Sequence, residues 1–70
     1  MNTNELKAKI VAKGMTIKSF CEKAGLVRAT FDRKLRGESE FNRDEIEKIQ
    51  DTLKLTSDEL MDIFFAKEVA

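Results

Sequence analysis

The chain has no proline, histidine, tryptophan or tyrosine, and only one cysteine in 70 residues. Each absence removes a possibility. A single cysteine forms no internal disulfide, and a chain without histidine lacks the usual partners of a zinc centre. A domain this small buries only about 60% of the surface its unfolded chain exposes, and many such domains depend on disulfides or a metal. This one must rely on well-formed helix packing or on association. Cys21 sits in an apolar pattern and reads as a small buried hydrophobe, with a reactive thiol as the other reading. No apolar run is long enough to cross a membrane, and the N-terminus lacks a signal-peptide layout. The expectation is a cytoplasmic protein with no membrane partner. Without proline, a Ser/Gly-rich tract or an internal repeat, residues 1–70 read as a single domain. Nor is there a glycine-rich phosphate loop or a nucleophile beside a base, so no enzyme, cofactor or metal is expected. The carboxylates fall at helix starts and on outer helical faces, where capping and solvation account for them.

What is present is charge, unevenly spread. Residues 1–37 hold nine Lys/Arg and three Asp/Glu, a net +6, whereas residues 38–70 hold four and ten, a net −6. The basic half offers a footprint for a polyanion, and the acidic half keeps the far side away from it.

Five helices are predicted, and no stretch alternates with period two, so the fold class is all-α. Asn2 caps the first, with Glu5 as its reciprocal partner; Leu6 and Ile10 share one face with Val11 beside them, and Gly14 ends the run. Thr16 caps the second, where Ile17, Phe20, Cys21 and Ala24 form one apolar stripe that Gly25 stops. In the third, over about residues 27–36, Val27, Phe31 and Leu35 recur every four residues and should face the core. Asn42 with Glu45 starts the fourth, Phe41 being stapled to Ile46, and its buried face is Ile46, Ile49 and Leu53. Thr56 with Glu59 starts the fifth, Leu55 being stapled to Leu60, with Leu60, Ile63 and Phe64 inward.

The short turn Gly25-Leu26-Val27 favours two helices crossing steeply, a helix-turn-helix. At 100° per residue, Arg28, Ala29, Asp32, Arg33 and Arg36 fall within a sector of roughly 140° that opposes Phe31 and Leu35. An exposed, arginine-rich face centred on a small residue suits a helix entering the DNA major groove, where arginine pairs bidentately with guanine.

The segment GMTIKSFCEKAGLVRATFDRKLRG resembles the helix-turn-helix of Cro/CI-type (lambda-repressor-like, XRE-type) regulators, and the resemblance runs from about Leu6 to Phe64. RKLRGESEF, the helix at EIEKI and the ending DIFF resemble most the small regulators of temperate phages and prophages. The resemblance implies a compact five-helix domain that binds double-stranded operator DNA in a bacterial or phage-infected cell. It implies that Val27, Arg28, Ala29, Asp32 and Arg33 reach base edges, Arg33 foremost and Arg28 next. Thr16, Ile17, Arg36, Ser39 and Arg43 match phosphate positions, with Lys18 as a neighbour.

Several positions depart from the family pattern. Ile17 stands where a phosphate-clamping glutamine is frequent, Val27 where a serine or threonine caps, and Lys34 where an apolar residue is general. Lys34 beside Leu35 predicts a slightly rotated third helix. Glu38 and Glu40 occupy a turn that is commonly basic, and Asp32 stands on the groove-facing sector, where it can accept from cytosine. Two readings follow. In one, the protein is a sequence-specific DNA-binding transcriptional regulator. In the other it is an antirepressor, in which Ile17, Val27 and Ala29 form an apolar island rimmed by Arg28, Asp32 and Arg33 that covers a partner repressor's DNA-reading surface. Burial of Ile17 favours the first and its exposure the second. RNA recognition by stacking finds no exposed aromatic platform. Phe65 and Val69 lie off the Leu60–Phe64 side, either as a homodimer contact or, for Phe65, as a cover for the first helix.

Overall fold

Short polar side chains start four of the five helices in the computed structural model, which describes residues 1–65. The helices are α1 (Thr3–Ala12), α2 (Ile17–Ala24), α3 (Arg28–Leu35), α4 (Arg43–Leu53) and α5 (Ser57–Phe64), and no strand occurs among the described residues. Asn2, Thr16, Asn42 and Thr56 each accept a backbone N–H from the residue three positions on. At α4 and α5 the glutamate of that first turn accepts in return from the cap residue's own N–H, 2.9 Å for Glu45 and 3.0 Å for Glu59. Each closes a reciprocal box that satisfies two otherwise orphaned donors.

Helices α2, α3 and α4 each end on a left-handed residue. At α3 the Glu38 N–H donates to the Arg33 carbonyl and the Gly37 N–H to Lys34, both at 3.1 Å, while Gly37 turns left-handed at φ +83°. This is the Schellman arrangement, which recovers the last carbonyls of a helix. Gly25 does the same for α2, and at α4 Lys54 turns left-handed at φ +53° in place of a glycine, with the Leu55 N–H donating to the Gln50 carbonyl at 3.1 Å.

Leu6, Ile10, Phe20, Ile49, Leu53 and Ile63 are fully buried, and Cys21 joins them as the small hydrophobe expected. Burial of each large side chain contributes about 1.5–3 kcal/mol. By contrast α3 contributes one fully buried side chain, Phe31, and the half-buried Leu35. Phe31 is held between two rings, Phe20 at 5.5 Å and Phe41 at 5.6 Å, and Phe41 meets Phe64 edge-on at 5.7 Å. A single file of rings thus ties α3 to α2 and, through Phe41, to α5. From the other side, Thr3 Oγ1 donates to the Leu35 carbonyl at 3.2 Å.

Three expectations are corrected. Val27 is 68% exposed, because it is the extended residue before α3 and helical periodicity does not reach it; nor does its side chain cap the helix. Val11 is exposed as well, since α1 buries only the narrow Leu6–Ile10 stripe. Glu5 does not return the Asn2 cap; the Asn2 N–H donates instead to the Ile63 carbonyl at 2.7 Å, joining the start of α1 to α5. Among the described residues no helix is long and apolar enough to cross a membrane.

Candidate nucleic-acid interface

The turn between α2 and α3 sets the direction of everything outward. Gly25 adopts φ +74°, a conformation that side-chain-bearing residues rarely take, and the Leu26 N–H donates to the Cys21 carbonyl at 2.8 Å. Leu26 packs partly against the core, so the chain is anchored on both sides of the bend. With Phe31 inward, Arg28, Ala29, Thr30, Arg33 and Arg36 are all exposed.

Their charges are not equally available. The Arg28 Nε donates to both Asp32 oxygens, at 3.2 and 3.4 Å, and Arg36 Nε donates to Glu38 at 2.7 Å. No ion pair among the described residues engages Arg33. The face therefore presents one unpaired guanidinium between two that are already oriented. It is a helical surface carrying convergent donors, the shape that a duplex groove accepts. The model of the Cro/C1-type HTH DNA-binding domain family matches residues 5–65. The chain belongs to that family. No curated protein and no solved structure matches it significantly. Membership places this Cro/C1-type domain among DNA-binding regulators, with double-stranded DNA as the partner the family supports.

At the N-terminus of α2 the Thr16 hydroxyl is occupied within its own cap. It accepts from the Ser19 N–H at 3.1 Å, while Ser19 Oγ accepts from the Thr16 N–H at 2.9 Å. Ser19 was not anticipated as the partner, because the usual signature carries glutamate or glutamine there. The N–H groups of Ile17 and Lys18 belong to the first turn, where a helix leaves its donors without internal acceptors. Lys18 is exposed, whereas Ile17 is half-buried and packs on the core. Of the expected apolar island only Val27 and Ala29 face solvent. After α3, Ser39 and Arg43 are exposed, and Arg43 lies 3.5 Å from Glu47.

The inner edge of α3 carries a connection between residues 11 apart in the chain. Lys34 Nζ donates to Glu45, and the two side chains retain only 11% and 16% exposure. The ammonium lies 5.8 Å from the centre of the Phe41 ring, close enough for cation–π attraction. Lysine thus fills an apolar position with its stem and neutralises its head against the capping carboxylate of α4. Burial pushes the Glu45 carboxyl up, but the bonds from Lys34 and the Asn42 N–H outweigh it and hold the group below the ordinary range. Burial raises the Cys21 thiol, against the opposing pull of Arg28. That keeps it protonated and inert.

Proposed function

We propose that the protein is a sequence-specific transcriptional regulator of Cro/CI type, acting in the cytoplasm on a phage or prophage genetic switch. The helix α3 lies in the major groove of its operator, with Val27, Arg28, Ala29, Asp32 and Arg33 toward the bases. Thr16, Ile17, Lys18, Arg36, Ser39 and Arg43 run along the phosphates, and the N–H groups that open α2 add donors there. The observation that carries this reading is the exposure of two arginines on α3 and a third at its C-terminal cap, with the opposite side of the helix fixed by Phe31. Ile17 supports it, because its side chain is turned to the core and withdrawn from the apolar island that a protein partner would need. Two copies meeting through Phe65, which is 55% exposed, would set their α3 helices about one DNA turn apart. Val69, the other residue expected in that contact, lies outside the described residues. A single species at high micromolar concentration in sedimentation, with the monomer's mass, removes the dimer.

The test is fluorescence anisotropy with a labelled mixed-sequence duplex across a salt series. Six or more phosphate contacts weaken binding by roughly 1,000-fold or more between 50 and 200 mM salt. Absence of binding even at low salt overturns the reading. The antirepressor reading then takes its place, favoured by the exposed Val27 and by Glu38 and Glu40, which suit a basic partner surface better than phosphate.

A further inference from the structure

We infer that Arg28, not Arg33, reads a guanine in each half-site, and that Asp32 is the residue that positions it. The inference rests on the regulator reading above and revises two assignments within it: Arg33 moves from the bases to the phosphates, and Asp32 acts on Arg28 instead of on a base.

Arg28 is the first residue of α3, and the N-terminal end of a recognition helix is the part that meets base edges. Its Nε is held by both oxygens of Asp32, one helical turn on. No hydrogen bond among the described residues engages Nη1 or Nη2. A guanidinium pinned through Nε keeps its opposite edge, two parallel N–H donors at fixed spacing. Those donors match the O6 and N7 acceptors that guanine presents in the major groove. An unpinned arginine must give up several rotatable bonds' freedom to adopt that pose, whereas Arg28 has given up much of it already. The pair is half exposed, at 51% and 39%, so its outward edge can be reached without unfolding.

The same geometry takes Asp32 away from the alternative role of accepting from cytosine, because both its oxygens already face Arg28 Nε. Its charge also repels phosphate, which lowers binding to every duplex alike. Asp32 therefore widens the gap between right and wrong sites by fixing Arg28, at some cost in affinity for every duplex. Arg33, exposed and unpaired among the described residues, is left as a cation suited to phosphate.

The test selects duplexes from a randomised library with the full chain and with Arg28→Ala, Asp32→Ala, Asp32→Asn and Arg33→Ala. Circular dichroism verifies that each variant remains helical. The wild type enriches a guanine that Arg28→Ala no longer enriches. Replacing that guanine with adenine in the selected duplex weakens wild-type binding about ten- to hundred-fold. Asp32→Ala lowers this ratio several-fold while binding the adenine duplex at least as tightly as the wild type does. Asp32→Asn, whose amide oxygen still accepts from Nε, retains more of the ratio than Asp32→Ala. Arg33→Ala keeps the ratio and reduces the salt slope by about one. A ratio unchanged in Asp32→Ala overturns the positioning role, and one lost in Arg33→Ala but kept in Arg28→Ala overturns the assignment. Duplex binding that enriches no sequence overturns the guanine assignment while leaving DNA binding intact. Failure of the wild type to bind any duplex overturns the regulator reading and this inference together.

Discussion

The two edges of α3 carry similar ion pairs in opposite surroundings. On the inner edge Lys34 and Glu45 are mostly covered, join two helices, and share their carboxylate with the cap of α4. On the outer edge Arg28 and Asp32 are half solvated, lie on one helix and tie nothing else together. Charges removed from water lose solvation that only good partners restore, so breaking the covered pair costs stability. An exposed pair is screened and contributes little to folding. What it can contribute is orientation. A helix committed to an outside partner therefore places its structural charge inward and its functional charge outward.

The largest expected effect tests how few contacts hold the inner edge. Phe31→Ala removes the one fully buried side chain of α3, and chemical denaturation should show a loss of about 3–5 kcal/mol. For a small domain that is a large share of total stability. Next comes the covered pair. Lys34→Ala leaves Glu45 without its cation, and a loss of about 2 kcal/mol is expected, less than for a fully buried pair because some exposure remains. Lys34→Met keeps the apolar stem over Phe41 but leaves Glu45 equally unpaired, so it should lose somewhat less than Lys34→Ala. Equal losses in the two variants would show that the charge pair alone matters at this position, and no loss in Lys34→Met would show that packing alone does.

Acid tests the carboxylates that the fold itself pairs. Glu45 and Glu59 have folded-state values below their ordinary ones, Glu59 at about 2 through its bond from Lys9. Such groups contribute stability above the unfolded carboxylate value, and the contribution disappears as pH falls through the folded value. Stability should therefore decline from about pH 4.5 toward about pH 2. Glu59→Gln should flatten that decline in denaturation measured at successive pH values. The smallest effect belongs to the outer edge: Arg28→Ala should change stability by less than about 0.5 kcal/mol while changing duplex selection. A larger loss of stability would erase the contrast between the edges.

Much of this was legible in local spacing. The boxes at Asn42–Glu45 and Thr56–Glu59 lie three residues apart, and the glycine stops lie at the ends of apolar stripes, so neighbours alone specify them. What escaped depends on residues far apart or on the precise end of a helix. Lys34 looked like a misplaced charge, because Glu45 lies 11 residues on and only the fold brings it near. Val27 followed a period of four into a position that is not helical. Glu5 lost its expected role because the Asn2 N–H found an acceptor on α5. At the candidate interface, Arg28 and Asp32 stood at the right spacing to pair, but each was read as a separate group facing outward. Spacing shows which side chains share a face, and only geometry shows which have already found each other.

The bond from Asn2 to Ile63 also bears on how the chain folds and comes apart. It is 2.7 Å long and joins residues near opposite ends of the sequence, and Lys9 and Glu59 clasp the same two helices at 2.6 Å. The α2–α3 corner forms between neighbours, whereas this clasp must wait until a long loop has closed. It therefore belongs to the late side of the folding barrier. Weakening it with Lys9→Ala should leave the refolding rate nearly unchanged and hasten unfolding, so the clasp acts as a latch on the native state.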